Sequence, residues 1–365
     1  MPPAIRRRAL PLPRPATVGR LLLLLTTAAL AAATAAASLA RHSWAFDLFS
    51  HFRLQYLVLA AALIPAALVL RARAVAVVLG VLVAANAWAV KDVWLGGEAA
   101  GAGLPVRVAS VNVWGPKNPT PEKLLDFART ERPDVLVVVD AQDERWRAVR
   151  EGLGDLYPHR APRDWRDGAP ILLFSRLPIV ASSQEPPGGR RPRLVGEVVA
   201  GGRAIMVVGV HPYSPSPRRP GRSWMRDREL DAVATRVGGA DRPVVVAGDF
   251  NVTPFSPHFR DLLAQAGLRD AAAGQGWSGT WPSWFWPARI PIDHILVGGP
   301  LGVASFRRGP FIGADHFPVV ADLRLRPGPS ASDPTPDVAD RGEPVRPAGD
   351  AGLQRSGEAP RGRGG

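Results

Sequence analysis

Long apolar runs come first along the chain, and short valine-rich runs follow. Residues 18–40 carry no charge after Arg20, and as a helix they can cross a hydrocarbon core of roughly 30 Å. Residues 54–70 and 74–90 are also uncharged and lie at the short end of the spanning range. Only Arg71-Ala72-Arg73 separates them, which predicts a helical hairpin after a first span. A glycine-rich stem covers 91–103. From there the period shortens. Runs bounded by Gly, Pro and Asp predict strands over 106–114, 134–140, 169–175, 193–200, 204–211, 243–249, 292–298 and 317–325. Apolar residues at helical spacing predict helices over 121–131, 222–237 and 256–266. This mixture predicts an α/β domain over 104–326, with two sheets and outer helices. Residues 327–365 contain no aromatic residue and almost no large apolar one. Such a segment cannot bury enough surface to offset its ordering entropy, so a disordered tail is expected.

Charge changes the picture through its placement. The chain carries Lys+Arg 45 against Asp+Glu 32, a net +13, which suits an anionic partner such as phosphate, nucleic acid or an acidic membrane surface. Arg6, Arg7, Arg8, Arg14 and Arg20 precede or open the first run, and Arg71 and Arg73 occupy the hairpin link. Short basic segments stay cytoplasmic, so residues 1–17 form a cytoplasmic N-terminus, and three crossings leave the domain after Lys91 outside. Residues 1–40 could instead be a signal peptide cut after Ser38-Leu39-Ala40, although the apolar stretch is long for one. Either way the domain faces outward. There is no cysteine, which excludes disulfides, thiolate metal sites and a cysteine nucleophile.

Polar residues then stand where the strands end. Asn112 interrupts the first strand, Asp140 ends the second, and His211 ends the strand of 204–211. Asp249 and Asn251 close "VVVAGDFN", Asp293 opens a late strand, and Asp315-His316 precedes the last. Ligands of α/β sheets bind off strand ends, and a strand buried to its last residue holds that residue rigidly. Oxygen donors without thiolates point to a hard cation, Mg2+ or Mn2+, which can polarise a phosphoryl oxygen. Histidines beside carboxylates supply an oriented base or a donor to the oxyanion. Each residue also has a purely structural reading. Asp249 could cap a turn, Asn112 could bond backbone at a bulge, Asp140 could be a helix N-cap, and His211 could belong to a loop.

"VASVNVW", "DVLVVVD", "GDFNVTPFSP", "PIDHILV" and "GADHFPVV", in this order, resemble the endonuclease/exonuclease/phosphatase superfamily over roughly residues 104–326. The three preceding spans resemble a membrane-anchored bacterial subgroup. The resemblance implies a four-layer α/β/β/α sandwich, two packed mixed β-sheets with outer helices, here preceded by three transmembrane helices. It implies that Asn112, Asp140 and Asp315 hold the metal. It further implies that Asp249 orients or deprotonates the attacking water, that Asn251 binds the phosphate, and that His211 donates to a phosphoryl oxygen. His316, oriented by Asp293, would be base or oxyanion partner. One position departs from the family pattern: Asp140 stands where a metal-binding glutamate is usual, one methylene shorter.

Two surfaces add to this. Arg218 and Arg219 lie in a basic stretch, 214–228, that follows His211 and is expected to be a solvated loop with one or two arginines near the phosphate. Trp277, Trp281, Trp284 and Trp286 crowd around Phe285. Trp281 could be core, whereas Trp284, Phe285 and Trp286 look like an interfacial anchor at the substrate rim. The leading expectation is an outward-facing, membrane-anchored, metal-dependent phosphoesterase that acts on a lipid-linked or membrane-proximal phosphate at the lipid bilayer. An extracellular nuclease that tracks nucleic acid with its basic loops is the second, and a catalytically weakened phosphate-binding or sensing protein, motivated by Asp140, is the third.

Overall fold

In the computed structural model, the described residues are 15–327, without 99, 142–143, 163–170, 186–191, 220 and 239–241. The expected basic run before residue 15 and all but the first residue of the disordered tail expected over 327–365 lie outside the described residues. The N-terminal apolar helices and the sandwich belong to one unit that ends at Pro327.

Helices α1 (Pro15–Ser38), α2 (Trp44–Ser50), α3 (Arg53–Val69) and α4 (Arg73–Val90) precede the sandwich. α1 and α4 are long and apolar enough to cross a membrane. The middle run differs from the expected straight span. α3 has 17 residues and meets α2 at a bend of 57°, so a third crossing exists only if the pair is taken as one broken span. Leu23, Leu30, Ala60, Ala67, Leu79 and Leu82 form the helix seam, where alanines let backbones approach. Leu21, Leu22, Val58, Val77 and Val81 face outward, a surface that lipid would solvate and water would not. Arg53 ties the three long helices near one end: its guanidinium donates to Ser38 Oγ at 3.0 Å and to Asn86 Oδ1 at 3.2 Å.

The sandwich contains twelve strands among the described residues: β1 (Leu104–Asn112), β2 (Val135–Val139), β3 (His159–Ala161), β4 (Ile171–Ser175), β5 (Ile179–Glu185), β6 (Arg193–Ala200), β7 (Arg203–Val210), β8 (Val244–Asp249), β9 (Arg269–Asp270), β10 (Asp293–Gly298), β11 (Leu301–Arg308) and β12 (Val319–Leu325). One sheet runs β11-β12-β1-β2-β4-β3 and the other β5-β6-β7-β8-β10-β9. Each is antiparallel except for one parallel pair near its centre, β1 with β2 and β7 with β8. Helices α5 (Lys123–Glu131) and α6 (Arg147–Leu156) cover the first sheet, and α7 (Gly221–Val237) and α8 (Pro257–Ala266) the second. The result is the expected four-layer order.

Strand periodicity explains the layers. Val106 and Val108, Val245 and Ala247, Ile295 and Val297, and Ile205 and Val207 all point into the core between the sheets. Their alternate neighbours, such as Ala109, Val246 and Val208, point under the helices. Continuing the inward phase by steps of two reaches Asn112, Asp249, Asp293 and His211. The same alternation that buries valines therefore aims four polar side chains at the mouth of the inter-sheet core.

The region beyond α4 is anchored to the sandwich. The Gly274 and Gly276 amides donate to the Asp92 and Val93 carbonyls at 2.9 and 2.8 Å, so the expected stem is docked along part of its length. Arg41 pairs with Asp261 of α8 at 2.7 Å, and Gln55, in the first turn of α3, donates to the Arg289 carbonyl at 2.9 Å.

Candidate active site

The stretch Gly-Asp-Phe-Asn shows how backbone and chemistry combine. Gly248 lies opposite Val210 in the β7–β8 register, with φ +153°. A Cβ there would come within 1.9 Å of the Val210 carbonyl oxygen, so only glycine permits the close strand pair. Phe250 is fully buried beneath α8, packed edge-on against Phe259. That anchor fixes its neighbours, and its amide donates to the Ile292 carbonyl at 2.8 Å. Asn251 then takes a left-handed conformation, φ 52°, which asparagine tolerates better than most residues. Its amide N–H donates to Asp249 Oδ1 at 2.9 Å.

Around Asp249 the strand ends converge. Asn112 Nδ2 donates to Asp249 Oδ2 at 2.9 Å, joining the two sheets. Asn251 Nδ2 donates to the same oxygen at 3.3 Å and to the Pro212 carbonyl at 3.1 Å. This amide therefore helps to orient the carboxylate. His211 Nε2 lies 3.5 Å from Asp249 Oδ2, and its Nδ1 lies 3.2 Å from Asp140 Oδ1. His316 Nδ1 sits 2.7 Å from Asp293 Oδ2, while its Nε2 faces Asp249 Oδ2 and Asp315 Oδ1 across 3.7 and 3.9 Å. Those two gaps exceed hydrogen-bonding distance. All eight strand-end residues singled out from the sequence thus belong to one connected cluster.

The cluster is rich in anionic oxygen. Asp249 is buried, and its carboxyl is held above the usual range, first by burial and then by the Asp293 charge, against the opposing His316 and His211. Burial likewise raises Asp315, with His316 and the Trp281 hydrogen bond opposing. For His316, burial works against the charged ring, but the Asp293 and Asp249 carboxylates outweigh it and push the imidazole up to about 10. Each shift favours the protonated form, as expected where carboxylates crowd together. Asp293 Oδ1 and Asp315 Oδ1 are buried without a hydrogen-bond partner among the described residues. Ligand atoms of Asp249, Asp293 and His316 lie within 4.8 Å of one another. These orphaned oxygens fit a hard divalent cation. The convergent trio differs from the expected set of Asn112, Asp140 and Asp315. Asn112 and Asp315 adjoin it directly, and Asp140 adjoins it through His211.

Several features lay beyond sequence reasoning. Trp281 is not core: its Nε1 donates to Asp315 Oδ2 at 3.2 Å. Fully buried Thr280 receives the amides of Ile292 and Asp293 on its hydroxyl at 3.3 and 3.4 Å, fixing the start of β10. Only the density of tryptophans around them marked this segment. The tip behind Trp281 is exposed as expected, with Trp284 at 76%, Phe285 at 48% and Trp286 at 77%. The basic stretch is corrected in part. The helix expected over 222–237 is α7, which begins at Gly221 and packs its apolar positions under the second sheet, so only the part of the basic stretch before it is a loop. Arg226 is fully buried within α7. Arg218 and Arg219 are exposed on the turn before α7 and take part in none of the cluster's hydrogen bonds among the described residues.

Two packed mixed sheets between helical layers, with Asp, Asn and His gathered at the mouth of their common core, define a phosphoester-hydrolase type of sandwich. The model of the Endonuclease/Exonuclease/phosphatase family matches residues 109–333, and the chain belongs to that family. Truncated TDP2 from Caenorhabditis elegans superposes with a TM-score of 0.51 at 18% identity, over 60% of this chain and 98% of that one. An endonuclease/exonuclease/phosphatase from Beutenbergia cavernae gives 0.49 at 22% identity, over 61% and 72%. Sphingomyelinase C from Streptomyces griseocarneus gives 0.47 at 19%, over 60% and 99%. No curated protein matches the sequence.

Proposed function

We propose that the protein is a membrane-anchored, outward-facing, metal-dependent phosphoesterase that hydrolyses a lipid-linked or membrane-proximal phosphate ester or diphosphate. One observation carries the lipid reading: a single loop links the site to the membrane helices. Its base holds Asp315 through Trp281, its tip exposes Trp284 and Trp286, and its far end accepts the Gln55 hydrogen bond at Arg289. Tryptophan favours the headgroup level, and in sequence the tip lies between the residue that bonds Asp315 and the one that accepts from the first turn of α3. The sidedness reading has support too. Residues 40–55, between the first two apolar segments, dock on the sandwich, so both belong on one side, and the arginines of the hairpin link belong on the other.

In this reading the carboxylates of Asp249, Asp293 and Asp315 would hold Mg2+ or Mn2+. Such a cation would polarise a phosphoryl oxygen and offset charge on the leaving oxygen. Asp249, fixed by Asn112 and Asn251, orients the attacking water. His211 and the Nε2 edge of His316 hold or move a proton at phosphoryl oxygens, and Asp293 sets the His316 tautomer. A second reading, a nuclease, is favoured by one feature, the exposed Arg218-Arg219 turn that follows His211.

A change of Trp284, Phe285 and Trp286 together to serine separates them. Each buried aromatic is worth roughly 1.5–3 kcal/mol at an interface, so hydrolysis of a bilayer-embedded phosphate should fall by well over tenfold. A small soluble phosphodiester should be cleaved at the original rate. An unchanged rate on vesicle-borne substrate would remove the lipid reading, and loss of DNA cleavage on neutralising Arg218 and Arg219 would put the nuclease in its place.

A further inference from the structure

We propose that Asp47, which lies between the first two apolar segments, is a positioning residue for the active-site loop 250–256. The membrane region would then be part of the catalytic unit and not only its tether. The proposal rests on the reading of the Asp249 cluster as a phosphoesterase centre.

Two contacts reach that loop directly from outside the sandwich, and a third reaches it through Arg226 of α7. Arg226 of α7 donates from Nη2 to Asp47 Oδ2 at 2.7 Å and from Nη1 to the Asn251 carbonyl at 3.3 Å. Ser256 Oγ donates to Asp47 Oδ1 at 2.7 Å, while the same hydroxyl accepts the His258 amide and so caps α8. One turn further on, His51 Nδ1 pairs with Thr253 Oγ1 at 3.0 Å. The assembly is dry: Arg226, Thr253 and Ser256 are fully buried, and Asp47 is 1% exposed. Asp227 also takes the guanidinium, at 2.6 Å, and Ser50 Oγ donates to Asp47 Oδ1 at 3.0 Å.

Asp47 is thus a two-sided clamp. One oxygen holds the arginine that grips the Asn251 carbonyl, and the other holds the serine at the end of the same loop. Asn251 is in turn the residue that orients Asp249. A buried arginine that loses one carboxylate must find new partners or shift, and a displacement of about 1 Å near a reacting group can cost roughly a hundredfold in rate. Docking alone would not require this arrangement. The neighbouring Arg41–Asp261 pair already fastens the two regions at the surface, far from the loop in its bonding.

The test uses the full chain in lipid nanodiscs with Mn2+ and a soluble chromogenic phosphodiester, bis(4-nitrophenyl) phosphate. Asp47→Ala should lower kcat by at least about tenfold with KM little changed. Asp47→Asn, which keeps an acceptor for Ser256, should lower it less, and Arg41→Ala should leave it unchanged. Amide hydrogen exchange at 250–256 should quicken in both Asp47 variants, with β8 and β10 unaltered. Should Asp47→Ala not fold, Asp47→Asn and Ser256→Ala carry the measurement. Wild-type exchange at 250–256, or wild-type kcat per folded molecule despite faster exchange, would overturn the proposal. A wild-type protein that cleaves no phosphoester would defeat the functional reading instead, and the exchange measurement would still decide whether Asp47 holds the loop.

Discussion

Asp293→Asn removes the charge behind His316 while keeping an oxygen that can still face the cation. The carboxylate lies 2.7 Å from Nδ1, and the ring is 5% exposed. With charge centres roughly 4 Å apart and an effective dielectric near 20, the attraction is about 4 kcal/mol. That corresponds to about three pKa units, in keeping with an imidazole raised from 6.5 to about 10. Asparagine keeps the shape and can still accept the Nδ1 proton, but it removes this attraction, while burial continues to lower the pKa. His316 should then lose its proton well below pH 10. Proton transfer by a positioned side chain contributes about 10²–10⁴-fold, so turnover should drop within that range. The assay is the pH profile of kcat/KM on a soluble phosphodiester at saturating Mn2+, from about pH 5 to pH 11. The alkaline limb should move down by a unit or more. Unchanged turnover with an unchanged limb would refute the assignment of His316 to the chemistry.

Two further outcomes are expected. In the presence of chelator, stability should be greatest below about pH 6.5 and decline as pH rises toward 10. The folded pKa of His316 is raised, so the folded state holds a proton that the unfolded state releases first. Thermal melts across that window test the sign, and His316→Gln should flatten the curve. For Asp140, whose Oδ1 meets His211 Nδ1 at 3.2 Å, Asp140→Ala should lower turnover while leaving the metal concentration for half-maximal activity within about twofold. A clearly raised metal requirement in a titration would instead place Asp140 on the cation, as the family resemblance implies.

Much of the sandwich could be read from valine runs, because strands buried on both faces need near-continuous apolar residues. β2, β8 and β10 are of this kind. β5 was not legible: "IVASSQE" is an exposed edge with little apolar signal. β11 was hidden by the tight turn at Gly299-Pro300, which returns the chain directly after β10. The eight candidate residues were legible as polar groups at or just beyond the ends of apolar strands, and steps of two along the strand explain why Asn112, His211, Asp249 and Asp293 meet. Their pairings were less so. Nothing local says that Trp281 serves Asp315. Asp47 reads as a polar residue in a short inter-helix loop, and its partner Arg226 lies 179 positions away in what looks like a solvated basic run. Burial reverses the meaning of both, and burial is a property of the assembled chain.

The central claim is metal-dependent phosphoester hydrolysis at the Asp249–His316 cluster on a membrane-held substrate. The most direct measurement presents the purified full chain with vesicles carrying a polyprenyl diphosphate or a phospholipid, and separately with plasmid DNA. Each substrate is tested with Mg2+, Mn2+ or chelator. The account predicts that a vesicle-borne substrate is hydrolysed only with metal, that Asp249→Asn abolishes the reaction, and that the plasmid stays intact. Plasmid degradation with untouched vesicles, or hydrolysis that persists in chelator, would contradict it.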